Sequence, residues 1–150
     1  MPELGEDGLL PPGVHDMSPE EIRKLFGAFQ HSDRRPRLFD KLQTLIGAAG
    51  AVPAIRHIII DGSFVTAVDE PGDIDIVVAV STEAFDAAIW PPREYNLLSS
   101  KRIRQAYKFD AFVVPAGSAA YAEYLDLFSR VKGAPERRKG VVRVVIHDQE

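Results

Sequence analysis

The chain of 150 residues is 45% hydrophobic and 27% charged, a composition typical of a globular domain large enough to bury its own core. Its net charge of −4 excludes a strong overall attraction to nucleic acid, and its lack of cysteine excludes disulfides and thiolate zinc sites. The sequence contains no apolar stretch of membrane-spanning length and no signal-peptide pattern at its start, so we expect a cytoplasmic protein without membrane contact.

In chain order, the sequence predicts a single domain over 1–150 that begins with an extended, Gly- and Pro-rich arm over 1–17. A helix should start at Ser18, because Pro19 and Glu21 complete a capping signal. The predicted helices cover 18–26, 33–49, 81–89, 99–106 and 119–131, and the predicted strands cover 55–60, 73–80, 108–114 and 141–146. This interleaving indicates an α/β (α+β) fold with a single mixed sheet flanked by helices.

The most informative motif joins two of these strands. Gly62 and Ser63 form a small polar turn after the first strand, and Asp73 and Asp75 follow on the second. Alternate residues of a strand share one face, so the two carboxylates should project side by side. Because like charges repel, we expect a divalent cation between them, and hard oxygen ligands favour Mg²⁺ or Mn²⁺. The turn at Gly62 and Ser63 is suited to phosphate.

This pattern resembles the nucleotidyltransferase superfamily of the DNA polymerase beta type, whose members carry Gly-Ser after an apolar strand and Asp-x-Asp about ten residues later. Asp110, on the next predicted strand, matches the third acidic position of that family. Over nearly the whole chain, the segments 10–15, 61–66 and 139–143 also look like a small bacterial family of nucleotidyltransferase-like proteins. The resemblance implies a nucleotidyltransferase-like fold with a sheet of the polymerase beta palm type.

The resemblance also implies a function. Asp73, Asp75 and Asp110 would be the catalytic, metal-binding residues, and Gly62 and Ser63 would bind the nucleotide. The protein would then be a magnesium-dependent nucleotidyltransferase that moves a nucleoside monophosphate from a nucleoside triphosphate to a protein, RNA or small-molecule acceptor.

The sequence departs from this family in one respect. Many members carry a basic residue shortly after Gly-Ser, whereas residues 64–68 here contain no Lys or Arg. Compensating cations are sought among Lys101, Arg102, Arg104 and Lys108. The alternative function is a catalytically silent binding module, such as a toxin–antitoxin or defence-system component, and a third is a nucleotide sensor without turnover.

Several residues retain two interpretations at this stage. Asp110 is either a metal ligand or a solvated strand residue, and Asp61 fits the turn better than a metal site. The basic cluster over 137–139 is either a solvated face or a contact for triphosphate, RNA or an acidic partner.

Overall fold

A computed structural model of the protein describes residues 2–28, 32–69, 71–86 and 90–147. The helices are α1 (Pro19–Phe26), α2 (Arg34–Ala49), α3 (Thr82–Asp86), α4 (Pro92–Leu98), α5 (Ser100–Tyr107) and α6 (Ala119–Phe128). The strands are β1 (Gly13–Asp16), β2 (Ile55–Asp61), β3 (Asp75–Val80), β4 (Asp110–Pro115), β5 (Arg130–Val131), β6 (Ala134–Arg138) and β7 (Gly140–Val145). In the part of the chain that the structure describes, no helix has the length and apolar character needed to cross a bilayer.

A five-stranded sheet in the order β1-β7-β2-β3-β4 forms the centre of the fold. The pairs β1–β7 and β3–β4 are parallel, and β2 is antiparallel to both of its neighbours. This mixed sheet with flanking helices confirms the fold class expected from the sequence. Strands β5 and β6, with the turn at 132–133, form a separate two-stranded ribbon that the sequence did not predict.

The strands bury both of their faces, because apolar residues occupy consecutive positions in the sheet centre. One face, called the buried face, carries Ile58, Ile60, Ile76 and Val78 and packs against α1, α2, α4 and α5 in the larger apolar cluster. The opposite face, called the α6 face, packs a smaller cluster against α6. That cluster contains Ile59, Val77, Val114, Phe128 and Val141.

The capping signal at Ser18 is confirmed in atomic detail. The Ser18 hydroxyl accepts a hydrogen bond from the Glu21 amide at 3.1 Å, and the Glu21 carboxylate accepts one from the Ser18 amide at 3.1 Å. This reciprocal pair satisfies two amides that have no partner within the helix, so it fixes where α1 begins.

Two predicted boundaries need correction, and a third cannot be compared. The helix predicted over 119–131 ends at Phe128, because the amide and hydroxyl of Ser129 both bond to the Asp126 carbonyl and close the last turn. The strand predicted over 73–80 begins only at Asp75, so Asp73 lies in the preceding loop. The helix predicted over 81–89 is α3, and its predicted end at 87–89 lies outside the described residues.

Candidate metal and phosphate site

Three carboxylates lie side by side across adjacent strands at one end of the α6 face. Asp61 of β2 is the register partner of Asp75 of β3, and Asp75 is the register partner of Asp110 of β4. Register partners on neighbouring strands have their side chains about 5 Å apart on the same face. We call Asp61, Asp75 and Asp110 the carboxylate row. It brings together Asp75 and Asp110, both predicted site residues, and adds Asp61, which the sequence analysis placed in the turn.

Asp73 approaches this row from the loop before β3 and is held by Ser63. Its Oδ1 accepts hydrogen bonds from the Ser63 amide at 2.9 Å and the Ser63 hydroxyl at 2.7 Å. Burial acts to raise the pKa of Asp73, but these hydrogen bonds, together with the charges of Lys132 and Lys139, outweigh it and lower the pKa. Asp73 is therefore ionised at neutral pH, and both Ser63 donors are engaged by it.

Gly62 makes this close approach of turn and loop possible. Its φ of 97° lies where only glycine is unstrained, and a Cβ built on it would lie 3.0 Å from the Asp73 carbonyl oxygen and 3.2 Å from the Asp75 amide nitrogen. A side chain at this position would therefore force the turn away from both aspartates. The glycine that the motif identified is required by the geometry of the turn.

Asp61 is almost completely buried and forms an ion pair with Lys139. The Lys139 Nζ lies 2.5 Å from Asp61 Oδ1, with the two side chains only 13% and 8% exposed. Burial raises the pKa of Asp61, and the Lys139 ammonium offsets part of that effect. Lys139 joins Asp61 across 78 positions of the sequence, so this pairing is visible only after the chain has folded.

Asp75, at the centre of the carboxylate row, is repelled by the carboxylates around it. Its carboxylate makes no hydrogen bond to any residue that the structure describes. Burial, and then the charges of Asp73, Asp61 and Asp110, raise the pKa of Asp75 to about 6. A cation beside Asp75 would relieve this repulsion, so the residue is the strongest candidate for a metal ligand.

The donor chemistry of the site suits a hard divalent cation, since every candidate ligand is a carboxylate oxygen. In the conformation described, however, no three His, Asp or Glu side chains among residues 2–28, 32–69, 71–86 and 90–147 are grouped closely enough to hold a metal ion. Asp61 is drawn to Lys139 and Asp73 to Ser63, which keeps both carboxylates engaged with other partners. These residues therefore have the ligand atoms that Mg²⁺ prefers and lie near one another, but their carboxylates do not surround a common point.

A cleft of about 990 Å³ opens beside the row. Asp61, Asp73 and Asp75 line it together with the Gly62-Ser63 turn. The end of α6, the ribbon and the residue that follows it contribute further lining residues: Leu127, Arg130, Val131, Lys132, Gly133, Pro135 and Lys139. Asp110 is not among the lining residues and stands exposed at the end of the row.

The cations named in the sequence analysis as candidates for compensation do not line this cleft. Arg102 lies over the ring of Tyr95, 5.1 Å from its centroid, and Arg104 donates to the Ala111 carbonyl at 3.0 Å while covering Phe112. Lys101 and Lys108 are also absent from the cleft lining. The sequence had no spacing rule to place these cations, and the structure packs α5 along β4, away from the cleft. The cations that do line it belong to the ribbon and its flanks.

Residues 64–68, which follow Ser63 and contain no Lys or Arg, are held in place by an arginine of α2. Arg35 of α2 is only 1% exposed and donates to the backbone carbonyls of Phe64 at 2.7 Å, Thr66 at 2.5 Å and Val68 at 2.6 Å. It also reaches the Phe26 carbonyl at 3.1 Å. Arg35 therefore fixes the segment that follows the turn from inside the core, where it is not available to phosphate.

Comparison with known proteins assigns nearly the whole chain to one family. A family model described as a family of unknown function (DUF6932) matches residues 2–145. No curated protein and no solved structure matches the chain. By this near-complete match, the chain belongs to the DUF6932 family of unknown function.

Proposed function

We propose that the protein is a magnesium-dependent nucleotidyltransferase, which transfers a nucleoside monophosphate from a nucleoside triphosphate to a hydroxyl of a protein, RNA or small-molecule acceptor. One observation supports this most directly: adjacent carboxylates on neighbouring strand ends line one cleft together with Lys132 of the ribbon and Lys139, which follows it. Acidic residues suit a metal, and lysines suit phosphate. The resemblance of the Gly62-Ser63 and Asp73-x-Asp75 motif to the nucleotidyltransferase superfamily points in the same direction.

Asp73, Asp75 and Asp110 would hold Mg²⁺ or Mn²⁺, which when bound neutralises phosphate charge as it develops during the transfer. Ser63 would keep Asp73 ionised and oriented through the two hydrogen bonds described above. Gly62 would let the phosphates approach the backbone of the turn. Asp110, exposed at the end of the row, would accept the proton of the acceptor hydroxyl.

The reaction balances without a further reactant. The acceptor oxygen forms a bond to the α-phosphorus, the bond from that phosphorus to the bridging oxygen breaks, and pyrophosphate leaves. The acceptor proton passes to Asp110 and then to solvent. Asp73 and Asp75 would each serve the metal alone, whereas substitution of Asp110 would remove a metal ligand and the proton acceptor together.

The test is transfer of α-labelled nucleotide in the presence of Mg²⁺ and cell lysate as a source of acceptors, with released pyrophosphate measured in parallel. We expect label transfer by the wild type, loss of about 100-fold or more in Asp75→Asn, and loss on chelation of the metal. Asp40→Asn is the matched control, because Asp40 is exposed on α2 outside the cleft, and it should retain full activity. Absence of transfer with all four nucleoside triphosphates would refute an enzymatic role.

A second candidate, a binding module without catalysis, is favoured by one feature of the site. The donors of Ser63 are both taken by Asp73, and Lys139 is taken by Asp61, so much of the polar surface is already satisfied internally. Such a module would act through a protein partner, as in a toxin–antitoxin pair. Calorimetry separates the candidates: a partner-binding module should give no heat with Mg²⁺ and any nucleotide, whereas an enzyme or a nucleotide sensor should.

A further inference from the structure

The ribbon and its flanks contribute three cations to the cleft, and two of them already have partners. Arg130 Nη2 lies 2.6 Å from Asp126 Oδ2, and Lys139 is paired with Asp61 at 2.5 Å. Lys132 makes no hydrogen bond and no ion pair with any residue that the structure describes. Among the cleft cations of the described chain, Lys132 is therefore the one whose charge is left to a ligand or to solvent.

The backbone places Lys132 at the tip of the ribbon. Val131 and Ala134 are register partners, so residues 132–133 form a two-residue turn, and Gly133 supplies the φ of 85° that the turn needs. Lys132 is exposed and lines the same cleft as Asp73, whose pKa it helps to lower. Its ammonium therefore acts across the cleft on the acidic wall without pairing with it.

A ligand that spans this space must satisfy carboxylates on one side and a lone ammonium on the other. A polyphosphate chelating a divalent cation does both, because its metal end neutralises the acidic wall and its free oxygens accept from lysine. A simple anion would be repelled by Asp73 and Asp75, and a simple cation would leave Lys132 unpaired. The cleft of about 990 Å³ is large enough for a nucleotide.

We infer that Lys132 is the phosphate-binding residue of the cleft and holds the terminal phosphates of a metal-bound nucleoside triphosphate. This inference rests on the proposed function and supplies the cation that residues 64–68 lack. Lys132 acts on the leaving pyrophosphate and not on the base, so its contribution is the same for every nucleotide. Since the ribbon is a separate unit of the fold, phosphate is held between two elements distant in sequence, the β3 loop and the β5–β6 turn.

The experiment uses inorganic tripolyphosphate, which has no base, and measures its binding calorimetrically with and without Mg²⁺. We expect the full-length wild type to bind it in the presence of Mg²⁺, Lys132→Ala to bind about 10-fold more weakly, and Lys132→Arg to retain most of the affinity. Lys101→Ala is the matched control, because Lys101 is exposed on α5 outside the cleft, and its affinity should equal that of the wild type.

The outcomes separate this inference from the proposed function. If Lys132→Ala binds tripolyphosphate as tightly as the wild type while Asp75→Asn loses Mg²⁺-dependent binding, the role of Lys132 is refuted and the proposed function stands. If Lys132→Ala loses affinity for tripolyphosphate while Asp75→Asn does not, Lys132 binds phosphate and the metal-dependent mechanism is refuted. If the wild type binds no tripolyphosphate at millimolar concentration with Mg²⁺, the role of Lys132 is refuted, and the transfer assay alone then decides the proposed function.

Discussion

The two faces of the central sheet are built from the same strands but serve different ends. On the buried face, Ile58, Ile60 and Ile76 are completely enclosed by helices. On the α6 face, positions one residue away end in Asp61 and Asp75, which repel each other and face a cleft. Because side chains alternate along a strand, each of these aspartates is next in sequence to a buried isoleucine that points to the opposite face. The apolar positions of both faces provide the stability that lets the strand ends on the α6 face carry unfavourable charge.

The largest effect is expected from Arg35, the polar group inside the buried half of the molecule. Arg35→Met would leave the carbonyls of Phe64, Thr66 and Val68 without their donor, and we expect unfolding free energy in urea to fall by about 3 to 5 kcal/mol. Arg37→Met, on the same helix but 74% exposed, should change it by less than about 0.5 kcal/mol. Equal effects of the two substitutions would show that the internal hydrogen bonds do not stabilise the fold.

Ile60→Ala tests the apolar side of the comparison. Ile60 is 0% exposed, so its truncation should leave a cavity and lower unfolding free energy by about 2 to 4 kcal/mol in the same urea titration. Val145→Ala, in the same sheet but 49% exposed, should cost less than about 0.5 kcal/mol. If the two variants lost equal stability, the buried face would not be the main source of stability.

In contrast to Arg35→Met and Ile60→Ala, Asp75→Asn should raise the unfolding free energy of the metal-free protein. The folded-state pKa of Asp75 is raised to about 6 from an ordinary 3.8, so the charged form is disfavoured by folding. This penalty is absent below pH 3.8, grows as pH rises to 6 and is complete above it. Because the carboxylate is only half-buried and solvent screens part of the repulsion, unfolding at pH 8 should show the variant about 1 kcal/mol more stable, with the difference vanishing near pH 4.

The same variant sharpens the metal hypothesis. Mg²⁺ that binds the folded state stabilises it by mass action, so adding Mg²⁺ at pH 8 should raise the unfolding temperature of the wild type. The Asp75→Asn variant replaces the central carboxylate with a neutral amide, so its unfolding temperature should respond much less to Mg²⁺. A variant less stable than the wild type at pH 8 without metal would contradict the repulsion at the centre of the row.

The smallest effect on stability is expected at the cleft's free cation. Lys132→Ala removes an exposed side chain without a partner among the described residues, so unfolding free energy should change by less than about 0.5 kcal/mol. The urea titration used for Arg35 measures it. A large loss of stability would mean that Lys132 supports the ribbon structurally, and the predicted loss of tripolyphosphate binding would then have a different cause.

Sequence patterns predicted the elements of the sheet centre and not those of the cleft wall. The runs at 55–60 and 141–146 have the apolar density of buried strands, and they form β2 and β7. The ribbon escaped prediction because residues 130–139 are largely charged and show no apolar alternation, so the helix pattern of 119–131 was extended into it. A two-residue turn at Lys132-Gly133 was the available signal.

The candidate site divides in the same way. Local spacing was sufficient to predict that Gly62, Ser63, Asp73 and Asp75 lie together, because the turn and the loop that it contacts lie within a short stretch of chain. Asp61 and Lys139 escaped because their pairing joins residues 78 positions apart, and no sequence period encodes such a contact. Arg35 escaped for the same reason, since an arginine in a helix is expected to be solvated until its acceptors are known.

The parallel pairing of β1 with β7 sets the order in which the sheet can form. Gly13–Asp16 lie against Gly140–Arg143, and the ion pair of Arg143 with Asp16 joins residues 127 positions apart. Closing so long a loop is entropically costly, so this contact should form after the local hairpin of β2 and β3. During synthesis, β1 is made long before β7. Until β7 pairs with β2, the edge of β2 that faces away from β3 has no strand to hydrogen-bond with.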